Sequence, residues 1–333
     1  MDARDIETTL GDWTLSRGCT MQADVVRGRL YGPENAPLIV VMGGISATRH
    51  VADGPPSKTG KPRRGWWSRL VRPGGAIDVT RVRVLGLDFA PNIGAAACPE
   101  TITTHDQAER LKALMDDHGL GPAAIVGSSY GGMCALAFAQ AYPESVGRLC
   151  IIGAAHKPYP IGVGWRGIQR RVVRLAMDAG RPEDGLKLAR ELAMTTYRTP
   201  EEFADRFALA ETGADPARFD ICDYLENRGD AFAAHMDAQR FLALSESIDL
   251  HRVEPEAITA PTLLMSAISD QLAPLPTLRE LRDRLAGESE LFTFTSLFGH
   301  DAFLKEYDQM ESRLGAFVEE SLEAAARSDR VSP

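Results

Sequence analysis

The 333-residue sequence predicts an α/β fold: a mostly parallel sheet flanked by helices, with a helical lid inserted into it. Three observations carry this prediction. Short apolar runs recur between turn residues, helical patterns separate these runs, and one run leads into a Gly-Ser-Ser-Tyr-Gly sequence that opens a further helical pattern. The runs that we interpret as buried strands are 38–42, 82–87, 123–126, 149–152 and 262–267.

The region before the first buried strand predicts an antiparallel hairpin. Residues 12–15 and 19–30 alternate as strands do, and Ser16-Arg17-Gly18 supplies the turn between them. Further along, a helix is predicted over 108–118, where Thr104 and Gln107 can cap each other's backbone donors and Gly119 can end the helix.

The alternation of strands and helices breaks in the second half of the chain. Segments 168–179, 183–195, 200–209 and 231–243 are compatible with helices and have no obvious strand between them. We therefore predict a first part of the α/β core at 1–157, a helical lid at 158–245 and the second part of the core at 246–333. Within that second part we expect a final helix at 309–325 and a frayed polar tail at 327–333.

Composition excludes several classes of protein. A hydrophobic fraction of 44% and a charged fraction of 25% are those of a globular chain, and a net charge of −9 disfavours nucleic acid and acidic lipid as partners. Neither a secretory signal nor an apolar stretch long enough to cross a membrane is recognisable. Five scattered cysteines without a CxxC pair fit reduced thiols, so a cytoplasmic location is expected. No pattern of metal ligands is present, and we expect no metal.

The Gly-Ser-Ser-Tyr-Gly sequence points to nucleophilic catalysis. A GxSxG sequence between a strand and a helix forces its serine into a sharp turn above the sheet, which makes Ser129 the candidate nucleophile. A serine needs a base and an orienting acid, in the chain order Ser, Asp, His. Asp270 follows the strand 262–267, and His300 follows the strand-like run 291–294. Both positions lie where an open α/β sheet carries its active site.

Acyl chemistry also needs donors for a developing oxyanion. The backbone N–H of Tyr130, directly after the nucleophile, is the first candidate. The second is the backbone N–H of Ile45, in the loop that Gly43 and Gly44 open after the strand 38–42. The alternative is that these two glycines only terminate the strand.

Two further motifs, Gly-Trp-Trp at 65–67 and Gly-His-Asp-Ala-Phe-Leu at 299–304, are much more specific than GxSxG. They occur in order with segments 44–50, 71–78, 127–133, 196–199, 206–207 and 269–272. Together these motifs resemble the homoserine O-acyltransferases of the α/β-hydrolase superfamily, and the similarity runs along most of the chain. The sequence departs from the family pattern at Tyr130, where methionine is usual, and in segment 88–98.

The resemblance implies an α/β-hydrolase fold and transfer of an acyl group from coenzyme A to the hydroxyl of L-homoserine, in methionine biosynthesis. It implies Ser129, Asp270 and His300 as the catalytic triad. Arg198 and Asp301 would bind the carboxylate and the ammonium of the amino-acid acceptor. Acyl-CoA would be a co-substrate with no bound cofactor, and a homodimer is usual in the family. The alternative for Arg198 is an ion pair with Glu201 or Glu202.

Several questions stay open at this point. The donor can be acetyl-CoA or succinyl-CoA, and the acceptor can be homoserine or serine. The same triad would also serve an esterase or thioesterase, since a fold does not fix a function. The basic residues Lys58, Lys61, Arg63, Arg64, Arg69 and Arg72 are candidates for the phosphates of coenzyme A, as are Arg170, Arg171 and Arg174. The alternative for both sets is a solvated face that balances acidic neighbours.

Overall fold

An eight-stranded sheet forms the centre of the protein in a computed structural model that describes residues 3–54, 64–93, 95, 99, 101–213 and 218–331. In spatial order the strands are β1-β2-β4-β3-β5-β6-β7-β8. Strands β3 to β8 pair in parallel, whereas β1 pairs with β2 and β2 with β4 in antiparallel fashion. The strands are β1 (Ala3–Thr14), β2 (Thr20–Tyr31), β3 (Leu38–Met42), β4 (Arg83–Leu87), β5 (Ala123–Ser128), β6 (Val146–Ile152), β7 (Thr262–Ala267) and β8 (Ser289–Phe294).

Helices cover both faces of this sheet. They are α1 (Thr104–Asp117), α2 (Tyr130–Ala141), α3 (Pro160–Asp178), α4 (Pro182–Tyr197), α5 (Pro200–Arg206), α6 (Asp220–Ala233), α7 (Ala238–Leu250), α8 (Leu275–Arg284) and α9 (Tyr307–Val331). None of the helices among the described residues is long and apolar enough to cross a membrane.

The pleat of the central strands divides the core into two layers. Val40 and Met42 of β3 pack in one cluster with residues of α1 and α2, whereas Ile39 and Val41 pack in the other with residues of α9. Successive side chains of a strand point to opposite faces, so a strand buried on both faces is apolar throughout. All five residues of β3 are accordingly buried. The predicted α/β sheet flanked by helices is confirmed.

The hairpin at the sheet edge is confirmed as well. Leu15 and Cys19 close the turn, with the Leu15 N–H donating to the Cys19 carbonyl at 2.8 Å. β1 is longer than the sequence pattern indicated, because it begins at Ala3, whereas β2 (Thr20–Tyr31) is shifted by one residue from the predicted 19–30. The antiparallel pair extends the parallel sheet at one edge.

Three predictions of helix limits were wrong. Helix α1 is capped by Thr103 and Asp106 rather than by Thr104 and Gln107, so the capping box lies one residue earlier. The predicted helix over 231–243 is broken, because the Asp237 side chain accepts from the Arg240 N–H and starts α7 after α6 has ended. Helix α9 continues to Val331 through the segment expected to fray, because the helix-forming residues 322–326 lead directly into it.

Five helices, α3 to α7, occupy the stretch between β6 and β7. Within it α3 packs against α4, and α4 against α6. A small apolar cluster centred on Val173, Leu186 and Phe241 holds these helices together. The division into a core and a lid stays a prediction, and α7 runs five residues beyond the expected limit at 245, to Leu250.

Candidate active site

Ser129 occupies a strained turn between β5 and α2. Its backbone has φ 53° and ψ −122°, a left-handed conformation that a residue with a side chain adopts only under constraint. The Ser129 N–H donates to the Ile152 carbonyl of β6 at 2.8 Å, which fixes the turn to the sheet. The flanking glycines are required sterically, since a Cβ at Gly131 would lie 2.4 Å from the Met42 carbonyl oxygen. The turn therefore lifts Ser129 above the carboxyl edge of the sheet.

Ser129, His300 and Asp270 form a continuous hydrogen-bonded chain. The Ser129 Oγ lies 2.8 Å from His300 Nε2, and His300 Nδ1 lies 2.8 Å from Asp270 Oδ2. The other carboxylate oxygen of Asp270 accepts the backbone N–H groups of Leu272 and Ala273 at 2.8 and 3.0 Å. Both oxygens of this buried carboxylate are thus occupied, and its orientation toward the imidazole is fixed. The structure brings together the three residues that the sequence singled out.

The surroundings of His300 favour its protonated form. Burial alone would lower the pKa of this imidazole, but the charge and hydrogen bond of Asp270, together with the charge of Asp301, raise it above its usual value. A general base with such a pKa can take a proton from Ser129 and return it to a leaving group near neutral pH. Gly153 leaves the space for this pair, since a Cβ there would lie 3.3 Å from Asp270 Oδ2.

His251 contrasts with His300. It is completely buried, and burial lowers its pKa to about 3. Its Nδ1 lies 2.8 Å from the hydroxyl oxygen of Thr104. The neutral imidazole of His251 is bound to the start of α1 and has a structural role. This agrees with the expectation that His300 is the candidate catalytic base.

The two residues predicted to donate to an oxyanion, Ile45 and Tyr130, lie beside Ser129. Tyr130 is the first residue of α2, where an N–H has no acceptor within the helix. Ile45 lies in the loop after β3, and both residues line one cavity with Ser129. The Gly131 N–H donates to the Gly43 carbonyl at 2.8 Å and so holds this loop beside the start of α2. The positions agree with the predicted oxyanion hole, whose role stays a prediction.

The side chain of Tyr130 is turned away from the chemistry. It is 1% exposed, its hydroxyl oxygen lies 2.7 Å from the Ser247 hydroxyl, and Gln107 donates to it at 3.3 Å. Burial raises the pKa of this phenol. Only the backbone of Tyr130 can serve the reaction, so the departure from the family's methionine leaves the oxyanion donor intact.

The two tryptophans of the Gly-Trp-Trp motif support the site from behind. Trp67 donates its indole N–H to the Phe303 carbonyl at 2.9 Å, and Trp66 donates to the Thr48 carbonyl at 3.1 Å. A Cβ at Gly43 would lie 2.8 Å from the Trp66 ring. The rings stack with centroids 5.4 Å apart. Neither ring lines the cavity at Ser129, so the two tryptophans contribute packing behind it.

Comparison with known proteins places this geometry in a family. Residues 81–307 match the family model of the alpha/beta hydrolase fold. The homoserine O-succinyltransferase of Xanthomonas campestris pv. campestris is 40% identical over 87% of this chain and 77% of its own length. The homoserine O-acetyltransferase of Thermobifida fusca is 29% identical over 82% of this chain and 81% of its own length. The chain belongs to the homoserine O-acyltransferase family.

Solved structures share the fold of this homoserine O-acyltransferase family member. The homoserine O-acetyltransferase from Bacillus anthracis superposes with a TM-score of 0.86 at 20% identity, over 95% of this chain and 98% of that chain. Esterase E22 superposes with a TM-score of 0.84 at 21% identity, over 95% and 100% of the two chains. At these identities the likeness concerns the fold, which transferases and esterases have in common.

The two residues that family resemblance assigns to the acceptor lie side by side. The Arg198 Nε lies 3.4 Å from Asp301 Oδ2, and the Arg198 Nη1 lies 2.6 Å from Glu202 Oε1. Asp301 lines the cavity at Ser129, whereas Arg198 does not. Arg198 is buried, and burial lowers the pKa of its guanidinium. The interactions with Tyr224, Asp301 and Glu202 raise this pKa by more, so the net shift is upward. The ion pair with Glu202 is the alternative that the sequence left open, and the role of Arg198 in binding stays a prediction.

Other arginines face the cavity instead. Arg166 and Gln169 of α3 and Arg190 of α4 line it together with Ser129 and His300. The guanidinium of Arg190 packs over the rings of Tyr197 and Phe232, 5.4 Å from each centroid. None of these residues was among the predicted site residues. Arg166 and Gln169 are three residues apart and so lie on one side of α3, but the predicted helix began only at 168 and did not include Arg166.

The basic residues between 58 and 72 were candidates for binding the phosphates of coenzyme A, and the structure describes only some of them. Lys58, Lys61 and Arg63 lie outside the described residues. Arg69 lies 3.8 Å from Asp308 and Arg72 lies 3.6 Å from Glu311, both on α9. These ion pairs favour the alternative of a solvated face balanced by acidic neighbours.

In the lid, Arg170 is also engaged. Its Nη2 lies 2.6 Å from Asp249, and its Nη1 donates to Ser245 at 3.0 Å. Arg171 and Arg174 lie exposed on the same helix. Among the described residues, no group of three histidine, cysteine, aspartate or glutamate side chains is arranged to hold a metal ion.

Proposed function

We propose that this protein transfers an acyl group from acyl-CoA to the hydroxyl of L-homoserine through an acyl-serine intermediate. The observation that carries the proposal is the chain from Ser129 Oγ to His300 and Asp270, with successive distances of 2.8 Å, inside a cavity that Asp301 also lines. The names of the relatives in Xanthomonas campestris and Thermobifida fusca support homoserine as the acceptor. Such a reaction would serve methionine biosynthesis.

The first half-reaction forms the acyl-enzyme. His300 Nε2 takes the proton of Ser129 as its Oγ attacks the thioester carbonyl, and the N–H groups of Ile45 and Tyr130 stabilise the oxyanion. The C–S bond then breaks, and His300 returns the proton to the departing thiolate of coenzyme A. Asp270 holds the imidazole in the tautomer with a proton on Nδ1 and stabilises its charged form.

The second half-reaction uses the same groups in reverse. His300 takes the proton of the homoserine hydroxyl, whose oxygen attacks the acyl-serine carbonyl. The bond to Ser129 breaks, and the proton passes from His300 to Ser129 Oγ. Asp301 is proposed to bind the acceptor's ammonium. Arg198, whose Nε lies 3.4 Å from Asp301 Oδ2, orients the Asp301 carboxylate and contributes to the acceptor subsite. Holding the acceptor beside the ester favours it over water through proximity.

Acyl-CoA is proposed to reach Ser129 through a second cavity. This cavity shares Ser46 and Arg190 with the cavity at Ser129, and Arg228 and His235 also line it. A bound acyl-CoA would place its thioester at Ser129 and its negatively charged part toward the guanidinium groups of Arg190 and Arg228. The homodimer implied by the resemblance stays a prediction.

Free-thiol release from acetyl-CoA and succinyl-CoA tests the proposed function. Each donor is assayed with and without L-homoserine or L-serine, and the variant Ser129→Ala is the blank. Thiol release that requires L-homoserine and is lost in Ser129→Ala supports the proposal. Release that requires L-serine instead assigns a serine O-acyltransferase. Equal release without an acceptor indicates a thioester hydrolase with the same triad and overturns the proposed transfer.

A further inference from the structure

Arg166 is half-buried and charged, and only part of its guanidinium is hydrogen-bonded. Its side chain is 12% exposed, and its Nε donates to Asp249 Oδ1 at 2.6 Å. Among the described residues, its Nη1 and Nη2 have no hydrogen-bond acceptor. A Cβ at Gly162 would lie 3.2 and 3.3 Å from these two nitrogens. The end of the guanidinium therefore occupies the space that the glycine leaves open, at the wall of the cavity that contains Ser129.

The partner of Arg166 is shared, so the local charge is not balanced. Asp249 Oδ2 lies 2.6 Å from Arg170 Nη2, which gives two guanidinium groups for one carboxylate. The Asp249 side chain is 9% exposed and the Arg170 side chain 13%, so water screens this group poorly. One positive charge remains in excess at the cavity wall. That charge also reaches the reacting groups, since Arg166 acts to lower the pKa of His300.

The other cations near Ser129 are already engaged. The guanidinium of Arg190 packs on two aromatic rings, and Arg198 is bound to Glu202 and Asp301 outside the cavity lining. A poorly solvated guanidinium whose two terminal nitrogens have no acceptor prefers a planar anion that accepts two parallel hydrogen bonds. A carboxylate has that geometry. In the reactants of the proposed function, carboxylates occur at two places: on the amino-acid acceptor and at the far end of a succinyl donor.

We propose that Arg166 of α3 is a specificity-determining residue that binds a carboxylate of the substrate beside Ser129. This inference rests on the proposed function for the identity of the two candidate carboxylates, and it concerns a residue outside the triad and outside the pair Arg198 and Asp301. Asp249 fixes the Arg166 guanidinium through Nε and leaves Nη1 and Nη2 for the ligand. Arg166 thus selects substrates that carry a negative charge at this end of the cavity.

Equilibrium binding to the Ser129→Ala protein tests the proposal without turnover. Isothermal titration calorimetry compares two matched pairs of ligands: succinyl-CoA with acetyl-CoA, and L-homoserine with L-homoserinol, which lacks the carboxylate.

Adding Arg166→Met to the Ser129→Ala protein keeps the aliphatic stem of the side chain and removes its charge. We expect the affinity for the carboxylate-bearing member of one pair to fall by about 10- to 100-fold, the loss typical of a charged hydrogen bond. The affinity for its neutral counterpart should stay within about threefold. A loss confined to succinyl-CoA assigns the donor carboxylate, and a loss confined to L-homoserine assigns the acceptor carboxylate.

Two further variants separate recognition from folding. Arg166→Lys keeps the charge and should recover part of the lost affinity. Arg181→Met removes an exposed arginine that pairs with Asp184 on the same lid, and it should leave all four affinities unchanged. The melting temperature of each variant is measured alongside. The proposal is overturned if Arg166→Met weakens charged and neutral ligands equally, if it weakens none, or if the parent binds none of them. If acyl transfer fails in the thiol assay while the carboxylate preference persists, the proposed function falls and the carboxylate site stands.

Discussion

The indole N–H of Trp67 donates to the carbonyl oxygen of Phe303 at 2.9 Å, across a sequence separation of 236 residues. Phe303 follows the candidate base His300 by three residues, and the two rings meet edge to face with centroids 6.2 Å apart. Trp67 is 1% exposed, so this hydrogen bond is shielded from water. The Gly-Trp-Trp motif is therefore connected directly to the short helical turn that carries His300.

Trp67→Phe removes this donor and retains an aromatic ring. We expect the free energy of unfolding to fall by about 1–3 kcal/mol, because the Phe303 carbonyl is left buried without a partner. Turnover should fall several-fold with little change in KM, since His300 loses part of its support. Urea denaturation and acyl-transfer kinetics measure the two effects. Trp13→Phe is the control: Trp13 donates to Asp24 in the edge hairpin at 3.3 Å, so its loss should affect stability alone.

The pH dependence of turnover reports on His300. Because Asp270 and Asp301 outweigh burial and raise the pKa of His300, the acidic limb of kcat/KM should lie above the usual imidazole value of 6.5. Asp301→Asn removes one of these charges, and the limb should move to lower pH. Hydrolysis of the neutral ester 4-nitrophenyl acetate is the suitable assay, since it needs no ammonium subsite. An unchanged limb in Asp301→Asn would contradict this account.

The same raised pKa has a consequence for folding. The protonated His300 is stabilised by Asp270 in the folded state, so this contribution to stability is complete below the usual pKa of 6.5. It is lost as the pH rises through the higher pKa of the folded protein. Urea denaturation of the protein and of Asp270→Asn across this range should show the difference between them shrinking as the pH rises.

Two glycines provide a matched test of the turn at Ser129. A Cβ at Gly131 would lie 2.4 Å from the Met42 carbonyl oxygen, so Gly131→Ala should displace the backbone and reduce activity and stability together. At Gly164, inside α3, a Cβ would have no neighbouring atom within 4 Å. Gly164→Ala should stabilise the protein by about 0.5–1 kcal/mol, because alanine loses less conformational freedom in a helix. Thermal unfolding measures both changes, and similar behaviour of the two variants would show that the turn does not require Gly131.

The buried pair of Arg198 and Glu202 predicts strong coupling in stability. Their side chains are 7% and 8% exposed, and Arg198→Met leaves the Glu202 carboxylate with only its 3.3 Å contact to Arg206. We expect a loss of about 3 kcal/mol or more, the usual cost of an uncompensated buried charge. Combining Arg198→Met with Glu202→Gln should recover much of this loss. Additive effects in a double-mutant cycle, measured by urea denaturation, would show that the two residues do not interact.

Sequence reasoning located the triad because its members have a topological signature. Ser129, Asp270 and His300 each follow a strand of a parallel sheet, and the carboxyl ends of such strands share one edge. The fold class followed from the same alternation of strands and helices. The start of α7 was missed, because helix-compatible residues continue on both sides of Asp237 and only the side-chain cap interrupts them.

The cavity arginines could not be predicted from the sequence in this way. An arginine on an amphipathic helix has the same pattern whether it faces solvent or a cavity, so the position of Arg166 depends on how α3 packs. For Arg198 the sequence offered two roles, the acceptor subsite and an ion pair with Glu201 or Glu202. The structure shows the ion pair with Glu202, and the role of Arg198 in binding stays a prediction. Tertiary packing decides which charged residues meet the substrate and which meet each other.

Strands β6 and β7 are direct neighbours in the sheet, although the stretch of chain between them carries helices α3 to α7. Cys150 lies beside Leu263 in this parallel pair, so the chain leaves the sheet at the carboxyl end of β6 and crosses to the amino end of β7 before it returns. The entropy of closing such a loop grows only with the logarithm of its length. Evolution can thus lengthen, shorten or exchange the insertion while the strands that carry Ser129, Asp270 and His300 stay in register. Because the proposed acceptor residue Arg198 lies in this insertion, we expect a laboratory graft of the segment between relatives to change the acceptor preference while Ser129, Asp270 and His300 keep their positions.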